Sequence, residues 1–240
     1  MYVLGIEAST AAAAVAVAGA DGILAERMVN NRRTHSVNLL PMVKAVLADA
    51  ELSPGRLGGI AVSSGPGSFT GLRIGMSTAK TLAQVWNLQI VGVPTLEVLA
   101  FPLAGHGNLV CPILNARKNE VYTAVYDCSG ALPACLAGPT AVKVEELAGF
   151  LGSFRPPFTF LGDGVPVYRQ ALVDGFGSRA FFVHQAVAFP RGAAVAELGL
   201  RRLADGRGVD PLLLLPEYVR LSEAEVVWLQ KVKEKNENHL

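Results

Sequence analysis

Short apolar runs, separated by turns rich in glycine, serine and aspartate, dominate the first hundred residues. Three of these runs follow one another closely, which predicts a meander of three strands. Leucines and valines then recur at helical spacing from residue 39 onward, after Thr34 or Ser36, either of which can cap a helix. The predicted strands cover residues 2–6, 14–18, 23–29, 59–64 and 89–93, and the later helices cover residues 74–85 and 94–100.

The same order of elements begins again near residue 107. Strands are predicted at residues 109–114, 121–126 and 158–164, and helices at 144–151 and 193–203. This recurrence predicts an α/β fold built from two duplicated domains, each a β-meander sheet with packed helices. We place the domains at residues 1–103 and 104–215. Residues 222–235, which begin with a capping box, are predicted to form a C-terminal helix that joins the first domain.

The composition narrows the functional classes. Hydrophobic residues make up 51% of the 240 residues and charged residues only 17%, with a formal net charge of +1. A chain so nearly neutral, without a strong basic stripe, is not one that binds nucleic acid through charge alone. No apolar run approaches the ~20 residues that a membrane span needs, and the three cysteines form no CxxC pair. We therefore expect a cytoplasmic protein without membrane association.

A glycine-rich loop between a predicted strand and a predicted helix is the most distinctive segment. Such a place leaves backbone N–H groups available to an anion or to a closely approaching backbone. Ser68 sits in a strand–turn–helix arrangement, but the local pattern is not the Gly-x-Ser-x-Gly of hydrolases, and no base is evident. The candidate residues of this loop are Gly65, Pro66, Gly67, Ser68, Phe69, Thr70, Gly71 and Arg73.

The turn after the first strand, residues 7–10, carries a carboxylate and two hydroxyl groups. In a duplicated α/β chain this turn resembles that of the actin, sugar-kinase and Hsp70 superfamily, where it faces nucleotide phosphates and metal. One hypothesis is therefore an ATP-dependent phosphotransferase of that superfamily, with Glu7, Thr10 and the glycine loops on ATP. Asp163 would be its catalytic base.

The glycine loop, read through residue 75, resembles the signature of the TsaB (YeaZ) family. The segments at residues 35–42, 92–96, 116–122, 162–164 and 216–225 are similar to other parts of that family, in order and spacing. The resemblance covers roughly residues 1–228 and implies duplicated actin-like domains of the RNase H-like class. It also implies a part in making threonylcarbamoyladenosine beside the anticodon of tRNAs. The implied partners are the catalytic paralogue TsaD, the ATPase TsaE, and a second copy of the chain.

The resemblance further implies a non-catalytic subunit that activates TsaD and reaches tRNA through the complex. The chain itself would need no cofactor, while ATP or ADP could bind at the interface with TsaD. The sequence agrees, because the catalytic paralogue carries paired histidines on the helix after its fifth strand, and residues 94–100 contain none. The four histidines are scattered, so we expect no metal site and no catalytic residue. His35 is interpreted as a helix-cap or interface residue.

Two further sets of residues each allow two interpretations. The small residues of the second helix, among them Gly75 and Ala79, suit either core packing or a helix–helix seam with a partner. Leu39, Leu40 and Val43 on the first helix could share that seam. In the second domain, Arg117, Glu120 and Tyr122 lie in one predicted hairpin: Arg117 either pairs with Glu120 or holds a phosphate or carboxylate at the TsaD side. The family has aspartate where this chain has Asn115, which puts cation binding there in doubt.

Overall fold

The computed structural model describes residues 1–31 and 34–220, so the predicted helix at residues 222–235 lies outside it. The strands are β1 (Tyr2–Glu7), β2 (Ala13–Gly19), β3 (Gly22–Val29), β4 (Leu57–Gly65), β5 (Ile90–Pro94), β6 (Leu109–Arg117), β7 (Glu120–Asp127), β8 (Ala134–Lys143), β9 (Phe158–Leu161) and β10 (Ala180–Phe182). The α-helices are α1 (His35–Asp49), α2 (Phe69–Val85), α3 (Thr95–Ala100), α4 (Leu147–Leu151), α5 (Val165–Phe176) and α6 (Gly192–Ala204).

The strands form two five-stranded sheets with the same topology. Their orders are β3-β2-β1-β4-β5 and β8-β7-β6-β9-β10. In each sheet the first three strands in sequence pair antiparallel, and the last two join in parallel. The predicted duplicated α/β architecture is confirmed.

The alternation of valine and alanine in β2 sets the layers of the first half. Val15 and Val17 pack on one face with residues of α1, whereas Ala16 and Ala18 pack on the other face beside Ala196 of α6. All seven residues of β2 are buried, because helices cover both faces of the sheet. The large side chains thus fill the α1 side, and the small ones let α6 approach the sheet closely.

The third helix of each half packs across the boundary between the halves. α6 falls within residues 104–215, yet it packs on β1, β2 and β4 of the first sheet. Leu96 and Leu99 of α3 join a core cluster with Val110 and Leu114 of the second sheet. The two halves are therefore interlocked through α3 and α6, and the division at residues 103 and 104 stays a prediction.

Several elements differ from the sequence prediction. α2 begins at Phe69 rather than at residue 74, because Ser68 caps it by accepting the N–H of Gly71 at 3.2 Å. The exposed edge strand β8, the short β10 and the helix α5 were not predicted. β8 carries Gly138-Pro139 in its middle, a pair that is typical of turns. No helix within the described ranges is long and apolar enough to cross a bilayer.

Candidate ligand cleft and helix face

A cleft of about 890 Å³ lies between the two halves. The turn after β1 and the glycine loop line one side, and the β6–β7 hairpin lines the other. Most of the predicted site residues border it, together with Asp163 of the alternative hypothesis. Those residues are Thr10, His35, Pro66, Gly67, Ser68, Phe69, Thr70, Gly71, Arg73, Arg117 and Tyr122.

The glycines of the loop are explained by contact with the chain's own first turn. Ser68 donates its N–H to the carbonyl oxygen of Ser9 at 2.7 Å. A Cβ on Gly67 would overlap that same carbonyl, and a Cβ on Gly71 would overlap the carbonyl oxygen of Ala8. The approaching backbone that the sequence suggested is therefore intramolecular, and it forms the floor of the cleft.

Glu7 is buried beneath this floor rather than facing the cleft. Its Oε1 accepts the N–H of Ser9 at 2.6 Å and also the Ser9 hydroxyl. Its Oε2 has no hydrogen-bond partner among the described residues. Burial raises the pKa of Glu7 to about 7, although the Ser9 bonds oppose that rise. This position is wrong for the predicted direct contact with ATP phosphates, since the carboxyl group is enclosed by its own turn.

His35 is the first residue of α1. Its side chain binds the turn after β1 instead of capping the helix. Its Nε2 lies 2.8 Å from the carbonyl oxygen of Thr10. A carbonyl can only accept, so Nε2 carries the proton and donates. Its Nδ1 is buried without a hydrogen-bond partner in the part of the chain that the structure describes. Thr34 is the N-cap residue of the helix, and its side chain makes no capping hydrogen bond to the helix backbone.

The β6–β7 hairpin turns through three consecutive residues with positive φ, namely Arg117, Lys118 and Asn119. Asn115 supports this turn, because its Oδ1 accepts the N–H of Arg117 at 2.9 Å. Asp163 in turn accepts the N–H of Asn115 at 3.0 Å, and burial raises the pKa of Asp163. The side chain of Asn115 therefore has a structural role, because its oxygen accepts a hydrogen bond from the turn.

Residues 211–220, which we call the C-terminal strap, connect both sides of the cleft. Glu217 donates its N–H to the carbonyl of Ser64 at 2.7 Å, at the end of β4. Arg220 reaches the other half and pairs with Glu120 at 2.6 Å. The predicted Arg117–Glu120 pair is therefore wrong: Glu120 has a different arginine as its partner. Sequence reasoning did not single out Tyr218 or Arg220, although both lie in the segment at residues 216–225 that carried the resemblance.

One lip of the cleft is an aromatic and guanidinium stack. The Arg73 guanidinium lies 3.7 Å from the centroid of the Phe69 ring. Its Nε donates to the Tyr218 hydroxyl at 3.1 Å, and the two rings are 5.0 Å apart. We call Phe69, Arg73 and Tyr218 the cleft lip. It joins the N-terminal turns of α2 to the strap.

The predicted helix seam divides into buried and exposed residues. Gly75, Ala79, Leu39 and Val43 are buried, and all but Gly75 belong to the first half's hydrophobic core. A Cβ on Gly75 would lie 2.9 Å from the Cβ of Ala8, so its small size serves packing within the chain. In the isolated chain these four residues face inward, which agrees with the core-packing alternative given for the small residues of α2.

Leu40 is the predicted seam residue that is exposed, at 55%. Val37 on α1 and Val85 at the end of α2 are exposed as well. Between the two helices lies an apolar groove of about 450 Å³, whose lining includes Leu40, Leu82 and Trp86. We call these exposed residues and the groove the α1–α2 face. The described residues contain no group of three or more histidine, cysteine or acidic side chains placed to hold a metal ion.

Comparison with known proteins identifies the family. The family model for TsaD, tRNA N6-adenosine threonylcarbamoyltransferase, matches residues 22–228. The chain is 33% identical to the tRNA threonylcarbamoyladenosine biosynthesis protein TsaB of Bacillus subtilis, over 97% of this chain and 100% of that protein. It is also 35% identical to the Escherichia coli protein of the same name, over 52% of this chain and 55% of that one.

Solved structures agree with this assignment. A Pseudomonas aeruginosa protein described as similar to peptidase YEAZ superposes with a TM-score of 0.79 at 25% identity, covering 91% of this chain and 99% of that one. A dehydratase activator from Clostridium difficile shares only the fold, with a TM-score of 0.51 at 10% identity over 86% of this chain and 97% of its own. The fold is actin-like, and the chain belongs to the TsaB (YeaZ) family.

Proposed function

We propose that this chain acts in the biosynthesis of threonylcarbamoyladenosine on tRNA, as a non-catalytic subunit that binds and activates a TsaD-type transferase. The full-length similarity to a protein named for that biosynthesis supports the pathway. The observation that carries the partner role is the α1–α2 face. Leu40 and Val85 are 55% and 73% exposed, beside an apolar groove.

An exposed apolar patch beside a groove is typical of a protein–protein interface, since its burial removes apolar surface from water. The TsaD family model matches most of this chain, so a TsaD-type partner shares its fold. Such a partner would present an equivalent helix pair, which can pack ridges into grooves against α1 and α2. The same face would serve a homodimer, so self-association and TsaD binding would compete. TsaE would join the assembled pair, and tRNA would be reached through the complex.

The test is a charge placed on the α1–α2 face. We expect Leu40→Asp to abolish co-purification with the TsaD-type partner and, with it, tRNA modification in a reconstituted assay. Leu136→Asp is the matched control, because Leu136 is 48% exposed on β8 of the other half. Both variants should unfold at the temperature of the parent chain. Full complex formation by Leu40→Asp, or equal loss in the control, would contradict the proposed interface.

The catalytic status needs its own measurement. We expect the purified chain alone to transfer no threonylcarbamoyl group, and to restore modification when TsaD and TsaE are added. Turnover by the isolated chain would contradict the non-catalytic role.

A second candidate function is the phosphotransferase, which the placement of Asp163 favours. Its carboxyl group borders the cleft, and burial raises its pKa, as suits a general base. Tight magnesium-dependent binding of ATP by the isolated chain, lost in Asp163→Asn, would support this function over the first. In the first function, ATP or ADP would instead bind only once TsaD completes the site.

A further inference from the structure

We infer that the cleft lip binds RNA directly, by stacking an unpaired nucleobase on the Arg73 guanidinium and the Tyr218 ring. The inference rests on the proposed function, because it takes the RNA to be the tRNA whose anticodon region is modified. It adds a contact that the proposed function does not contain, since there the tRNA is reached only through the complex.

The geometry of the lip matches a stacking platform. The central carbon of the Arg73 guanidinium lies 3.7 Å from the centroid of the Phe69 ring, and the Nε of Arg73 donates to the Tyr218 hydroxyl. Arg73 and Tyr218 are both exposed. Arginine planes and aromatic rings are the surfaces on which proteins stack the splayed bases of single-stranded RNA. Because Arg73 and Tyr218 are exposed, a base can reach both groups from the solvent.

The charges around the lip favour an anionic ligand. No carboxylate forms a salt bridge with Arg73 or Arg117 in the described residues. Of the acidic residues near the cleft, Glu120 pairs with Arg220, Glu217 accepts a hydrogen bond from the Ser64 hydroxyl, and Asp163 accepts the N–H of Asn115. The cleft therefore presents arginines to solvent although the whole chain carries a net charge of only +1.

These features point to a loop rather than to duplex RNA. Bases in a helix are already stacked and paired, whereas those of an anticodon loop can be turned outward. Arg73 and Arg117 would neutralise about two phosphates, so we expect a shallow salt dependence, with a slope of about −1.4 in log affinity against log salt. A protein surface with many basic residues that bound the phosphates of the RNA would give a much steeper slope of log affinity against log salt.

The experiment measures fluorescence anisotropy of a labelled anticodon stem–loop RNA with the isolated chain, and again with its complex with the TsaD-type partner. We expect Arg73→Gln and Tyr218→Ala each to weaken RNA binding on the order of 10-fold. The matched control is Arg169→Gln. Arg169 stacks on Phe182 at 4.1 Å but does not border the cleft, and its substitution should leave RNA affinity unchanged.

Four outcomes overturn the inference. The first is unchanged RNA affinity of Arg73→Gln, and the second is an equal loss in Arg169→Gln. The third is an Arg73→Gln chain that binds RNA like the parent but no longer binds the partner, which would assign the lip to a protein interface. Complete displacement of the RNA by AMP, with the same sensitivity to Arg73→Gln, would show a free-nucleotide site and also overturn it.

Co-purification of the parent chain with the TsaD-type partner is recorded in parallel. Its failure would refute the proposed function alone, because RNA binding by the isolated chain is measured independently.

Discussion

Replacing Glu7 by glutamine tests the electrostatics of the cleft floor. Glu7 is fully buried under the first turn, and burial raises its pKa from an ordinary 4.5 to about 7. Glutamine is nearly the same size, and its Oε1 can still accept the hydrogen bonds from Ser9. The substitution therefore removes the titration while leaving the packing of the turn nearly unchanged.

The sign follows from proton binding. Between pH 4.5 and about 7 the folded chain holds a proton on Glu7 that the unfolded chain has released. The contribution of Glu7 to the stability of the folded chain is therefore greatest below pH 4.5. It falls as the pH rises above 4.5 and is lost once the pH passes about 7. At about 1.4 kcal/mol per pH unit the loss is about 3 kcal/mol, or roughly 6–12 °C in melting temperature for a chain of this size.

The assay is thermal or urea unfolding of the parent chain and of Glu7→Gln between pH 5 and pH 8. We expect the stability of Glu7→Gln relative to the parent to rise by about 2.5 kcal/mol between pH 5 and pH 8, because part of the loss has already occurred below pH 5. Glu145→Gln is the control, because Glu145 is exposed and should leave the pH profile of the parent unchanged. If the stability of Glu7→Gln and that of the parent changed with pH in the same way, the argument that the buried carboxyl group of Glu7 titrates in this range would be refuted.

Three other predictions concern glycines and are read by unfolding measurements. A Cβ on Gly199 would overlap the Cβ of Ala61, so Gly199→Val should cost more than about 2 kcal/mol by separating α6 from the first sheet; near-parental stability would contradict the close packing. Gly175 in α5 has open space around it, so Gly175→Ala should stabilise by about 0.4–1 kcal/mol, and a loss would count against this. Gly65 has a φ of +121° and abuts the Glu217 carbonyl, so Gly65→Ala should destabilise by at least about 1 kcal/mol and expose the strap to proteolysis; unchanged cleavage would contradict this.

The sequence predicted the architecture well because its signals are local. Apolar runs bounded by turns located eight of the ten described strands, and the repeat of the pattern predicted the duplication. α5 was missed although Val165, Leu172 and Phe176 recur on one helical face and are buried. The domain boundary at residues 103 and 104 stays a prediction. The packing of α6 on the first sheet could not be predicted, because periodicity shows which face of a helix is apolar but not which sheet covers it.

The candidate site was predicted in part. The glycine loop and the β6–β7 hairpin were each singled out in the sequence, and the folded chain brings them together at one cleft. The partner of Glu120 was missed, because Arg220 lies 100 residues away in sequence and only the folded chain brings it near. The sequence left core packing and a partner seam open for Gly75 and Ala79, for a related reason. A row of small residues predicts a close approach, but it does not tell whether the approaching surface belongs to this chain or to a partner.

The glycine loop differs in its physical role from the α1–α2 face and the cleft lip. The loop is held by backbone contacts, from Ser68 to the first turn and from Ser64 to the strap, where side chains would collide. Those contacts fix the floor of the cleft, but they supply no reactive group. The groups that we propose to contact the partner and the RNA lie beside them, namely the exposed Leu40 on α1 and Arg73 at the lip. A substitution in the loop should therefore damage stability and binding together, whereas Leu40→Asp and Arg73→Gln should each remove one interaction from a chain that remains folded.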